Sequence, residues 1–202
     1  CAMKKILLFG MYENAMYHPL TGIDRYLKSL VSDKELDVTD QIEKICEAEQ
    51  YDAVISYWDD WNEPIPEKAA NALYRYVENG GSLLALHNGI SIQLQDRLKK
   101  LVGGKFITHP EQETLTFVVK KNEMTNGCKD FSMKEEPYQF ELEDDGKEII
   151  LTYLYREKEY PAGWRKYFGK GKVVYLAPGH TIHSFFNPEY TLLIRKSLEW
   201  LI

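Results

Sequence analysis

The chain has 202 residues, of which 44% are hydrophobic, 28% charged and 13% aromatic, and its formal net charge is -6. That length is most simply one domain, taken as residues 3–202, which can bury roughly 70% of its unfolded surface without a staple. The acidic balance, with no block of lysine or arginine, argues against a nucleic-acid partner; no apolar run approaches the ~20 residues of a membrane span, so no membrane partner is expected.

Lys5-Ile6-Leu7-Leu8-Phe9-Gly10 reads as a short buried strand, and Leu20, Ile23, Leu27, Leu30 and Val31 then recur at helical spacing. A strand near 36–38 and a helix over 41–49 make the second unit. A strand at 51–57 and a helix from Pro64 to Asn79, with Gly80 just beyond it, make the third. Four apolar residues, Leu83 to Leu86, then form a strand over 82–87 that runs into His87-Asn88-Gly89, and a helix is expected over 90–101. From Phe106 onward the pattern changes: 115–120, 138–142, 149–155 and 172–176 read as strands without intervening helices, and 190–202 as a closing helix. Alternating strands and helices predict an α/β fold, a flavodoxin-like three-layer sandwich. Its sheet is mainly parallel, with antiparallel additions in the C-terminal half.

The three cysteines, Cys1, Cys46 and Cys128, have no CxxC spacing and form no paired framework, which fits a reducing, cytoplasmic setting. Cys46 is read as a buried helix residue and Cys128 as a loop residue. Cys1 and Ala2, ahead of Met3, are set aside from functional reasoning.

Chemistry is expected where parallel strands end, because ligands of open α/β sheets bind at those carboxyl ends. His87 stands at such an elbow, and Gly179-His180 ends the last apolar strand, so the two imidazoles can share one crevice. His18-Pro19, after the first strand, belongs to the same edge. His109-Pro110 holds an imidazole on extended backbone, and His183 is read as a surface residue. Asp59 and Asp60, in Tyr57-Trp58-Asp59-Asp60-Trp61, can hold a sugar hydroxyl, act as a base or cap the following helix. In Glu135-Glu136-Pro137-Tyr138 one carboxylate can complete a histidine site, and Trp58, Trp61, Tyr138 and Trp164 can stack on a ligand or pack the core. His87, His109, His180 and a carboxylate can also hold a divalent metal, although no H-E-x-x-H spacing supports one. Walker and dinucleotide glycine motifs are absent from the sequence.

Taken in order, several segments resemble the ThuA-like (trehalose utilisation) family, a branch of the class I glutamine amidotransferase-like fold. They are Tyr51-Asp52-Ala53-Val54, Gly80 to Gly89, Leu101 to Phe106 with His109-Pro110, Glu135-Glu136-Pro137-Tyr138, Pro161-Ala162-Gly163-Trp164, Gly169 to Val173 with Tyr175, Gly179-His180 and Trp200. The resemblance implies a flavodoxin-like core in which His87 stands where amidotransferases carry cysteine, with His180 near their catalytic histidine. Glutamine hydrolysis is then not expected. It further implies disaccharide utilisation, with some members linked to 3-keto sugars made by partner oxidoreductases. Glu135 replaces the family's usual aspartate in the Asp-Glu-x-Tyr step.

The expectation is therefore an enzyme that cleaves or rearranges a (3-keto) glycoside, with His87, His180 and Glu136 catalytic and Trp58, Asp59, His109 and Tyr138 binding a small carbohydrate. A divalent metal acting as Lewis acid is the open alternative for the chemistry. The competing function is a non-catalytic sugar-binding or regulatory module. A homo-oligomer whose pocket is completed by a second chain is compatible with the antiparallel additions, and a sugar oxidoreductase is the expected pathway partner.

Overall fold

A computed structural model describes residues 2–202; the setting aside of Cys1 lies outside them. A nine-stranded sheet runs in the order β2-β1-β3-β4-β11-β10-β9-β6-β7. Its first five strands are β2 (Glu35–Thr39), β1 (Lys5–Gly10), β3 (Ala53–Tyr57), β4 (Ser82–Leu86) and β11 (Gly171–Leu176), and all are parallel. The remaining four are β10 (Lys158–Phe168), β9 (Glu148–Tyr155), β6 (Glu113–Val119) and β7 (Phe131–Glu135), joined antiparallel. The expected α/β, flavodoxin-like architecture with its antiparallel additions is thus present.

β3 and β4 are buried at every position. A strand sequence such as Ser82-Leu83-Leu84-Ala85-Leu86, apolar on both pleats, is stable only between two covering layers. Helices α1 (Ile23–Leu30), α2 (Glu67–Glu78), α3 (Asp96–Val102) and α4 (Pro188–Leu201) supply that cover. The core runs through Leu7, Ile55, Leu84, Val174 and Leu193, all fully buried, each side chain contributing about 1.5–3 kcal/mol by leaving water. No helix among the described residues is long and apolar enough to cross a membrane.

Three sequence expectations change. The segment 41–49 is a 3₁₀-helix, Ile42–Gln50, and its Cys46 is exposed rather than buried. The helix expected over 90–101 divides into a 3₁₀ segment, His87–Leu94, and α3. Nearly every residue of the first piece is buried, so it has no polar face to set a helical period. The strand near 138–142 is β8 (Gln139–Leu142), which leaves the main sheet and pairs with the unexpected β5 (Gly104–Thr108) as a separate two-stranded ribbon.

Candidate functional site

The carboxyl ends of β1, β3, β4 and β11 lie side by side, so the loops after them meet at one edge. His87 is the first residue after β4 and adopts φ +46°, a left-handed conformation uncommon away from glycine. The turn is stitched to the end of β3. Asn88 Nδ2 donates to the carbonyls of Tyr57 (2.8 Å) and Trp58 (3.1 Å), and Ser91 Oγ donates to that of Trp58 (2.7 Å). A Cβ at Gly89 would stand 1.9 Å from the Ser56 carbonyl oxygen, so only glycine lets the turn come this close.

His87 is fully buried. Its Nδ1 donates to the Ala177 carbonyl at 2.6 Å, and its ring stacks on Tyr138 with centroids 4.2 Å apart. Its Nε2 faces Glu136 Oε2 at 3.2 Å, yet neither atom has a hydrogen-bond partner. His180 follows β11, and its Nδ1 lies 3.3 Å from Glu136 Oε1. Its loop is fixed by buried Glu135, whose Oε1 accepts from the backbone N–H groups of Gly179 (2.8 Å) and His180 (3.1 Å) and from the Ser184 hydroxyl.

His18, from the loop after β1, completes the group. Its Nε2 lies 3.0 Å from His180 Nδ1, and its Nδ1 lies 3.0 Å from Asp59 Oδ1. Asp59 is fully buried and also accepts from the backbone amides of Tyr17 and His18, each at 2.5 Å, and from the Trp61 indole at 3.0 Å. Neither helix capping nor sugar binding describes this carboxylate. It positions His18, while half-buried Asp60 accepts from the Asn62 and Glu63 amides in a turn.

Electrostatics follow from this packing. Burial raises the Glu136 carboxyl, but contacts with His180 and His87 outweigh it and hold the group well below the usual carboxylate range. Contact with Glu136 raises the His180 imidazole, whereas burial lowers that of His18 despite its bond to Asp59. Burial also opposes ionisation of Asp59, and the His18 contact more than offsets it.

Above this cluster opens a cleft of about 720 Å³ whose floor is His18, Glu136 and His180 and whose walls include Trp61, Phe106 and Tyr138. His109 stands on the rim, its side chain 35% exposed and its Nε2 3.6 Å from Glu136 Oε1. Of the residues expected from sequence, His87, His180, Glu136, His109 and Tyr138 come together, with His87 sealed beneath the cleft rather than lining it. Trp58 does not join them: it is buried against Phe9 and borders a different cleft beside Tyr12 and Asp40. His18 and Phe106 are members to which sequence reasoning gave no role in the site, while Glu135 and Trp61 were among the alternatives it named. The signal for His18 was its place just after the first strand. His183 is exposed, as expected.

Residues 9–201 match a family described as ThuA, trehalose utilisation. Among solved structures, the chain is similar to a ThuA-like protein of Bacteroides uniformis, at 19% identity and TM-score 0.80, over 98% of this chain and 91% of that one. A ThuA-like protein of Parabacteroides merdae is similar at 15% identity and TM-score 0.80, over 99% and 90%. A cold-adapted β-galactosidase of Rahnella sp. R3 shares the fold in one part, at 18% identity and TM-score 0.68, over 100% of this chain and 32% of that one. No match is found among curated proteins.

Proposed function

The chain belongs to the ThuA (trehalose utilisation) family, and we propose that it is an enzyme cleaving or rearranging a small glycoside in this cleft, with a 3-keto glycoside as substrate. One observation carries the reading: three histidines and a carboxylate converge at and just beneath the floor of an open cleft whose walls include three aromatic rings. Aromatic faces suit the apolar faces of a sugar ring, and the polar floor suits its oxygens.

A ketone at C3 acidifies the proton on C2. His109, exposed on the rim, removes that proton as general base, and the electron pair left on C2 becomes the enolate, whose oxygen accepts from the His180 imidazole, a group that Glu136 biases toward its charged form. Collapse of the enolate forms the C1–C2 double bond and expels the C1 oxygen, which takes the proton back from the His109 imidazolium. A ketone on the sugar requires a prior oxidation, so an oxidoreductase acting on the same sugar precedes this step.

The test is incubation with native and 3-keto disaccharides, with and without divalent ions, followed by product analysis. Turnover of a keto-glycoside that is lost in His109→Ala and His180→Ala, both still folded, is the expected result. If the folded protein turns over no keto-glycoside under either condition, the enzymatic reading fails; saturable sugar binding without turnover would make the domain a sugar-binding module.

A further inference from the structure

At and just beneath the floor of the cleft, buried nitrogen and oxygen atoms face one another without hydrogen-bond partners. His18 Nδ1 is committed as donor to Asp59 Oδ1 (3.0 Å) and His87 Nδ1 to the Ala177 carbonyl (2.6 Å), so each ring turns its Nε2 inward. His87 Nε2 faces Glu136 Oε2 at 3.2 Å; both atoms are buried and neither is hydrogen-bonded. An orphaned pair of this kind is costly, and a cation between them removes the cost.

We infer that His18 Nε2, His87 Nε2, His180 Nδ1 and the Glu136 carboxylate bind a single divalent transition-metal ion of the zinc type. The four donor atoms all lie within 4.8 Å of one another, with His18 Nε2 to His180 Nδ1 at 3.0 Å and His180 Nδ1 to Glu136 Oε1 at 3.3 Å. Tetrahedral donors about 2.05 Å from zinc are about 3.3 Å apart, so the cluster needs only small side-chain shifts. Three imidazoles and one carboxylate select a borderline-soft ion over calcium or magnesium, which prefer oxygen.

A second layer is also in place. Asp59 orients His18, the Ala177 carbonyl orients His87, and Glu135 fixes the backbone of His180. Metal-binding histidines are generally oriented in this way. The site stands on this donor set alone and does not depend on which sugar is bound. A cation here would supply a Lewis acid beneath the substrate oxygen.

The experiment strips the full chain with a chelator, dialyses it against zinc and counts ions per chain by elemental analysis, with affinity from competition against a chromophoric chelator. Cobalt(II) loading adds a spectroscopic readout of tetrahedral coordination. Wild type and His183→Ala, altered outside the cluster, are expected to take up one ion per chain. His18→Ala loses that uptake, and Asp59→Asn, which keeps every ligand, binds about 10–100-fold more weakly. Background zinc in the folded wild type, or stoichiometric uptake by folded His18→Ala, overturns the site. Stoichiometric zinc without glycoside turnover sustains the site and overturns the enzymatic reading; turnover by wild type that binds only background zinc does the reverse.

Discussion

Glu135 Oε1 accepts the His180 backbone N–H at 3.1 Å, so a carboxylate at the end of β7 fixes the direction of an imidazole on the loop after β11. The same oxygen holds the Gly179 amide at 2.8 Å and the Ser184 hydroxyl. Glu135→Ala strands these buried donors and is expected to lower stability by about 3–5 kcal/mol. Glu135→Gln keeps an acceptor oxygen and should recover most of that loss. Urea melts of the two variants check the order; equal destabilisation would show that the site depends on the charge and not on the accepted hydrogen bonds.

The parallel half of the fold was legible because its strands are apolar on both pleats and its helices carry a clear stripe. β10 was not, since Pro161 and Gly163 interrupt its pattern; the register shifts there between Pro161 and Gly163 and again to Trp164, which lets the sheet accept both residues. In the site, His87, His180 and Glu136 were found through strand ends and the adjacent acidic pair. His18 carried the same strand-end signal, but its commitment depends on Asp59, 41 positions away, and no local pattern reports such a pair. Trp58 and Trp61 flank the same acidic step, and their opposite fates are set by tertiary packing.

That difference gives a paired prediction. Trp61 lines the cleft and is partly exposed, whereas Trp58 is buried against Phe9 with ring centroids 6.1 Å apart. Trp58→Ala should cost about 3–5 kcal/mol of stability, as expected for removing a buried indole. Trp61→Ala should cost about 1–2 kcal/mol, from the lost donor to Asp59, and should raise KM for the glycoside roughly tenfold by removing a stacking surface. Calorimetry and steady-state kinetics on both variants decide it. A larger KM effect at Trp58 would move the sugar to the neighbouring cleft.

Gly89 tests the elbow itself. A methyl group there meets the Ser56 carbonyl oxygen at 1.9 Å, and backbone cannot swing aside as a flexible side chain can. Gly89→Ala is expected to destabilise the protein by more than about 3 kcal/mol. Gly127→Ala, whose Cβ meets nothing within 4 Å, carries only the strain of φ +87°, on the order of 1 kcal/mol. Comparable denaturation midpoints for the two would mean that the β4 turn does not need its close approach to β3.

Tyr76 gives the pH dependence. Its hydroxyl donates to the Tyr51 carbonyl at 3.0 Å, and burial pushes its phenol up to about 12 from the ordinary 10.0. Below pH 10 both folded and unfolded states keep the proton, and the stability is fully present. As pH rises from about 10 through about 12, the unfolded chain releases the proton first, and stability falls by up to about 3 kcal/mol. Tyr76→Phe loses about 1 kcal/mol at neutral pH through the missing hydrogen bond, but it escapes this share of the alkaline decline. The stability gap between wild type and variant should therefore narrow and then reverse between pH 10 and 12. Guanidinium melts across that range measure it, and a constant gap would place the Tyr76 phenol in water rather than under α2.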